Sequence, residues 1–220
     1  MHPKAFIYEN VLGMLNHDKG ETWETIKSVF NSLGYKISFS ILNSKDFGIP
    51  QNRKRIFVVG VRNNSIDFSF PSGCKLTTTM FDYLETDVDS KYYLGKKGFE
   101  FVTNPKNRNR ARVDKNVIQT QKANQQFNWN GDFVFEDYDK VKDNENIMKR
   151  AYVGTYEGRK GVVRQLTHRE CLRLMGFDDS FKIVVPNVAS YRQTGNSMVV
   201  NVMEAIIDEL IKNGCFDEED

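Results

Sequence analysis

The chain has 220 residues, 40% of them hydrophobic, and a formal net charge of +2. That is enough chain to bury a core as one domain, or as one domain with a lobe, and too little net charge to attract nucleic acid globally, so any basic surface has to be local. The three cysteines, Cys74, Cys171 and Cys215, are far apart and odd in number. They form no metal-ligand spacing and no disulfide framework, which fits a reducing cytosol; no secretory leader and no membrane-spanning apolar run is read.

In chain order, residues 5–8 are β-prone and stop at Glu9-Asn10. A carboxylate at the carboxyl end of a buried strand sits where open α/β sheets bind ligands, although a simple turn cap would look the same. Residues 22–33 read as an amphipathic helix with Trp23, Ile26, Val29, Phe30 and Leu33 on one stripe, ended by Gly34. Residues 36–42 alternate Ile37, Phe39 and Ile41 as a strand. Strand, helix and strand at this spacing predict that the two strands run parallel. Gly48 and Pro50 punctuate the loop that follows, and Ile56-Phe57-Val58-Val59 reads as a central strand covered on both faces. Gln51, Arg53 and Arg55 are spaced by two, so extended backbone would put them on one face, a group suited to phosphate oxygens or a base edge. A basic, solvated strand end is the plainer alternative. If the strand over residues 55–61 returns antiparallel, it starts at the edge where the first strand ends, and Glu9, Gln51, Arg53 and Arg55 converge.

Asn63-Asn64-Ser65 and Pro71-Ser72-Gly73 mark a linker. Residues 81–94 read as a short helix and then a strand. Residues 103–126 hold six cations against one acid, a local balance of +5, interleaved with Asn and Gln. That mixture suits phosphate and base-edge contacts, and also suits a solvated loop. Residues 127–138 and 152–156 read as short strands, with a hairpin turn at 128–132. Residues 166–176 carry helix signals: a Thr167/Glu170 capping box, a Leu166/Cys171 staple and a Gly176 stop. Val199, Val200, Met203, Ile206, Ile207, Leu210 and Ile211 follow a 3.6 period, so a last helix packs on the sheet. Gly195-Asn196-Ser197 is expected at its start, as a ligand-receiving turn or an ordinary N-cap. Residues 217–220 form an acidic tail.

Four of these stretches together resemble one family. Tyr8-Glu9-Asn10-Val11 resembles the ENV motif of DNA cytosine-5 methyltransferases, and Gln51-Asn52-Arg53-Lys54-Arg55 resembles their QxRxR motif. LTHRECLRLMGF, residues 166–177, is similar to the motif that closes their target-recognition region. YRQTGNSMVV, residues 191–200, is similar to their last motif, with Met198 where valine is usual. The resemblance implies an enzyme that flips a cytosine out of the duplex, adds a cysteine thiolate to ring carbon 6 and transfers a methyl group from S-adenosylmethionine to carbon 5. It implies that Glu9, its pKa raised by burial, contacts ring nitrogen 3 and the exocyclic amine. Arg53 and Arg55 would bind the ring oxygen, the glutamate and the adjacent phosphate. Gln51, Arg108, Arg110, Arg112 and Lys115 would face double-stranded DNA. Asn196 and Ser197 would hold the methionine end of the cofactor, with Phe177 at its border; no metal is implied.

The family's Pro-Cys nucleophile motif and its Phe-x-Gly-x-Gly cofactor loop are absent from this sequence. The expectation is therefore the C-terminal part of such an enzyme, lacking about three βα units of ~30 residues each. The expected fold is α/β: residues 1–62 and 186–220 as the C-terminal part of a Rossmann-like methyltransferase sheet, and residues 63–185 as an inserted, mostly β or irregular target-recognition lobe. The expected function is DNA cytosine-5 methylation of restriction-modification or prophage type, in a cytoplasmic, bacterial or phage-encoded protein that is inactive alone. A non-catalytic DNA-recognition or regulatory fragment is the alternative. Expected partners are DNA and either an N-terminal methyltransferase half or a second copy paired through an exposed sheet edge, with no membrane.

Overall fold

The computed structural model describes residues 3–216 apart from Gln126, so the acidic tail at 217–220 lies outside the described residues. The chain divides into two compact units, Met1–Thr77 with Met198–Asp220, and Thr78–Ser197. The boundaries at 77 and 197 lie beyond the 62 and 185 expected from linker residues.

The first unit is built on a three-stranded sheet of β1 (Ala5–Asn10), β4 (Lys54–Val61) and β2 (Lys36–Asn43), in the order β1-β4-β2. Both outer strands pair antiparallel with β4, so β1 and β2 point the same way, as the strand-helix-strand spacing requires, with β4 inserted between them. Residues 56–59 of β4 are buried throughout, which explains their unbroken apolar run. On one face, Ile56 and Val58 pack with Met14 of α1 (Gly13–Asn16) and Trp23 of α2 (Glu21–Ser32), and with Tyr8, Ile26 and Ile37 around them. Gly60 is required there: a Cβ would stand 2.1 Å from the Phe6 ring, which lies over it. The expected alternation of β2 is only half covered. Phe39 meets the Trp23 ring edge-on at 4.9 Å yet stays 51% exposed, because β2 is a sheet edge. Val29 and Leu33 of the helix stripe are likewise exposed and not core. The last helix, α8 (Val200–Lys212), buries Val202, Ile206 and Leu210, in keeping with its period.

The second unit centres on a four-stranded sheet in the order β5-β7-β9-β8: β5 (Ala111–Val113), β7 (Gly131–Asp137), β9 (Arg159–Gln165) and β8 (Gly154–Tyr156). β7 separates two cores. Phe133 and Phe135 pack with Phe99 and Val102 of α3 (Lys96–Val102). Val134 packs on the other side with Met80, Leu166 and Leu174. Two expectations change here. Residues 81–94 make two 3-10 turns, Met80–Tyr83 and Ser90–Tyr92, and Tyr93 joins the sheet only through a single bridge to Arg164. No hairpin turns at 128–132: Phe127–Trp129 is a 3-10 turn, and β7 pairs parallel with β5. The hairpin of this unit is instead β8–β9, closed by Glu157 and Gly158 with φ 48° and 79°, the two positive values a type I′ turn demands.

A buried ion network ties these pieces together. Arg164, 1% exposed, donates to both carboxylate oxygens of Glu170, 0% exposed, at 2.9 Å each, and to Glu136 at 2.6 Å. Tyr93 donates to the other Glu136 oxygen at 2.6 Å. Glu170 also accepts from the amides of Thr167, at 2.7 Å, and Glu85, at 2.9 Å. The first of these is half of the capping box that opens α6 (His168–Arg173). α7 (Asn187–Asn196) packs against α6, and its buried Tyr191 donates to the Leu166 carbonyl at 2.6 Å. This places residues 187–197 in the second unit.

Candidate active site and DNA-facing surface

Glu9 stands at the carboxyl end of β1, opposite Phe57 of β4. Arg55 lies two residues back along β4 and so shares the sheet face with Glu9, as a diagonal neighbour. Its Nε comes within 3.1 Å of Glu9 Oε1. Oε1 is buried, and this ion pair is its contact with the guanidinium. Burial raises the Glu9 pKa, against the opposing pull of Arg55 and then Arg53. Burial lowers Arg53 to about 10, helped by repulsion from Arg55 and opposed by Glu9. Burial also lowers Arg55, with Glu9 opposing. The site is therefore a half-desolvated carboxyl that holds its proton more tightly than a surface glutamate, facing two cations.

The connecting loop explains how Arg53 arrives. The Ser44 amide and hydroxyl both donate to the Arg53 carbonyl, at 3.2 and 3.3 Å. The Arg53 amide donates to the Gln51 carbonyl at 3.0 Å, a tight two-residue closure. That kink separates the two-residue β3 (Gln51–Asn52) from β4, so Gln51, Arg53 and Arg55 do not form one extended face. Gln51 is 0% exposed. Its expected place on a DNA-facing surface is corrected: it is an interior side chain, while Glu9, Arg53 and Arg55 do come together.

The basic segment is also sorted by the structure. Arg108, Arg110 and Lys115 are exposed, and the Arg110 guanidinium lies over the Phe101 ring at 5.2 Å. Arg112 differs. It is ion-paired with the buried Asp132 at 2.7 Å and donates to the Val117 carbonyl at 3.0 Å. The reason is register: Arg112 stands opposite Asp132 in the β5–β7 pairing. Arg112 is thus a strut of the fold, not an available phosphate ligand.

The Gly195-Asn196-Ser197 turn lies elsewhere in the fold than expected. Gly195 and Asn196 end α7, and the Ser197 hydroxyl donates to the Thr194 carbonyl at 2.9 Å, so the motif closes a helix C-terminus and does not open α8. Gly195 has a structural cause: a Cβ would meet the Lys122–Ala123 backbone at 2.2–2.4 Å. Phe177 and Ser197 nevertheless line one cavity of about 170 Å³, together with Leu172, Phe181, Ser190 and Thr194; Asn196 is exposed. Sequence reasoning missed Arg164 and Glu136, whose only signal is a charged residue directly after an apolar run, Val162-Val163 and Phe133-Val134-Phe135.

The family model described as C-5 cytosine-specific DNA methylase matches residues 1–212. The type II methyltransferase M.DsaV of Dactylococcopsis salina is 34% identical over 220 residues, 95% of this chain and 57% of its own length. M.NlaX of Neisseria lactamica is 36% identical over 94% of this chain and 63% of its own length. The methyltransferase EhMeth of Entamoeba histolytica superposes with a TM-score of 0.71 at 17% identity, over 96% of this chain and 63% of that one. The Dnmt2 methyltransferase of S. pombe does so at 0.70 and 23% identity, over 96% of this chain and 65% of that one. These two show the fold: a mixed α/β chain forming part of a methyltransferase sheet with an inserted, β-rich lobe. The chain spans between about half and two thirds of the length of its relatives. With the motifs at Glu9, Arg53–Arg55 and Gly195–Ser197 inside the matched span, the chain belongs to the C-5 cytosine-specific DNA methylase family.

Proposed function

We propose that this chain supplies the cytosine-activating and DNA-recognising part of a DNA cytosine-5 methyltransferase, and that it works with an N-terminal half carrying the nucleophilic thiol. The observation that carries the reading is the Glu9–Arg55 pair with Arg53 beside it: a carboxyl that burial makes hold its proton more tightly than a surface glutamate does, next to fixed positive charge. Glu9 donates that proton to ring nitrogen 3 of an extruded cytosine and accepts from its exocyclic amine. Arg53 and Arg55 orient Glu9 and stabilise negative charge that develops on the ring oxygen. The chain's own cysteines do not fit the nucleophile: none follows a proline, Cys171 and Cys215 are buried, and burial pushes Cys171 well up. Cys74 is exposed on the loop after Pro71-Ser72-Gly73.

S-adenosylmethionine would supply the methyl group. The cavity at Phe177 and Ser197 fits one end of such a ligand: it pairs an aromatic wall with a hydroxyl, and its 170 Å³ is below the ~300–1,000 Å³ of a whole small-molecule site. The other wall belongs to the N-terminal half. β1 is the natural junction, since its outer edge has no strand partner among the described residues, and such an edge pairs with another chain. The reading also assigns the protein to the cytosol of a restriction-modification host.

The test is Glu9→Gln with the N-terminal half supplied. The amide keeps size and hydrogen bonding but has no carboxyl proton to give. Turnover should fall by roughly 10²–10⁴-fold while DNA affinity at fixed salt holds. Turnover unchanged by Glu9→Gln would reduce Glu9 to a strand-end residue and favour the non-catalytic DNA-recognition fragment.

A further inference from the structure

The second unit holds an open cavity of about 610 Å³ between the basic segment and the β8–β9 hairpin. Its floor is apolar: Val102, Ala111 and Val113, with the half-buried Tyr156 ring. Its rim carries exposed polar side chains, Arg108, Asn109, Lys115 and Glu157 among them. Arg112 on the same wall is taken up by Asp132. Neither Arg108 nor Lys115 is held in an ion pair among the described residues.

Glu157 is placed at a cost. It sits at φ 48° in the two-residue turn, where Asn, Asp or Gly is preferred; a residue kept in a sparsely populated conformation at a cavity rim points to use. A small inorganic anion would leave the apolar floor unused, and an apolar ligand would leave two cations desolvated. A nucleotide uses both, and the volume lies within the usual range for a ligand of that size.

We propose that this cavity holds one nucleotide of the bound DNA, with its phosphate on Arg108 and Lys115, its base over Tyr156, and its base edge read by Glu157 and Asn109. The inference rests on the DNA-recognition reading and deepens it. A carboxylate only accepts, so Glu157 selects a base that presents an exocyclic amine, cytosine, adenine or guanine, against thymine, which lacks one. Glu157 is then a specificity residue for a position other than the methylated base.

The purified chain would be incubated with a randomised DNA duplex pool and the bound fraction sequenced, for the wild type, Glu157→Gln and a Lys149→Gln control on exposed α5 (Glu145–Arg150). Wild type and control should share a discrimination against thymine at one position, and Glu157→Gln should relax it. In a salt titration on one duplex, Arg108→Gln and Lys115→Gln should each flatten the slope of log affinity against log salt by about 0.9. No DNA binding by the chain, an unaltered preference with Glu157→Gln, unaltered slopes, or tighter binding of an RNA duplex of the same sequence would each overturn the proposal. These readouts involve no turnover: failure here beside a successful Glu9→Gln test removes the cavity alone, and a failed Glu9→Gln test leaves them standing.

Discussion

Glu170→Ala isolates the most heavily committed side chain in the second unit. The glutamate is 0% exposed and balances the 1% exposed Arg164 through two hydrogen bonds of 2.9 Å. It also receives the Thr167 amide, as the returning half of the capping box, and the Glu85 amide. Removing it leaves a buried guanidinium with Glu136, at 2.6 Å, as its one remaining acidic partner among the described residues. Stripping one partner from a buried pair costs roughly 3–5 kcal/mol, and the broken cap adds about 1 kcal/mol. Against the ~5–15 kcal/mol that holds a domain together, this is enough to open the unit under mild denaturant. The assay is available in the sequence itself. There are two tryptophans, Trp23 in the first unit and Trp129 in the second. A Trp23→Phe background therefore reports the second unit alone, by fluorescence in urea. Glu145→Ala, which removes an exposed pair to Lys149 at 3.3 Å, should cost about 0.5 kcal/mol or less. The triple variant Glu136→Gln/Arg164→Met/Glu170→Gln should recover part of the loss, because it removes Arg164 together with both of its carboxylate partners and leaves an amide oxygen to accept from Thr167 and Glu85. A Glu170→Ala midpoint equal to that of Glu145→Ala, or a triple variant as unstable as the single one, would refute the argument.

Burial raises Asp132 from its ordinary 3.8 to about 6, outweighing Arg112 beside it. The folded state therefore holds the proton more tightly than the unfolded chain, and this stabilising contribution is full below pH 3.8 and lost as the pH climbs through about 6. Asp132→Asn cannot titrate, so urea midpoints between pH 4 and 7 should move in its favour relative to wild type, by roughly 2–3 kcal/mol in all; a pH-independent difference would contradict this. Gly195→Ala would drive a Cβ to within 2.2 Å of the Lys122 backbone, which no rotamer change relieves, and should destabilise the second unit by roughly 1–3 kcal/mol. Gly95→Ser, where nothing lies within 4 Å, is the matched control, and equal midpoints for the two would show that the Lys122 segment yields. Finally, the free edge of β1 should make the chain self-associate at high concentration and become monodisperse when the N-terminal half is added, as read by light scattering; a monomer indifferent to that half would count against the junction at β1.

What the sequence determined by itself lies within one turn or one strand. The buried run at 56–59, the 3.6 period of α8, the Thr167/Glu170 capping box and the parallel sense of β1 and β2 each depend on backbone periodicity or on partners a few residues apart. The motif text carried the family, and with it the meeting of Glu9 with Arg53 and Arg55. Where a charge or amide ends up is a different matter, because its partner comes from another strand. Arg108 and Arg112 read alike in a row of cations, yet the β5–β7 register puts Asp132 opposite one of them and leaves the other at a cavity rim. Gln51, Arg53 and Arg55 read as one solvent-facing row, yet Gln51 is 0% and Arg53 3% exposed. Ser197 reads like the start of a helix, but α7, whose buried contacts are Ser190, Tyr191, Thr194 and Gly195, has too little apolar periodicity to be seen, so the turn ends one helix instead of opening the next. Arg164 and Glu136 are 28 residues apart, and only the antiparallel pairing of β7 with β9 makes each the other's counter-charge. Local hydrogen bonding and periodicity are written in consecutive residues; desolvation and ion pairing depend on which distant strand comes alongside, and that was decided only when the sheets formed.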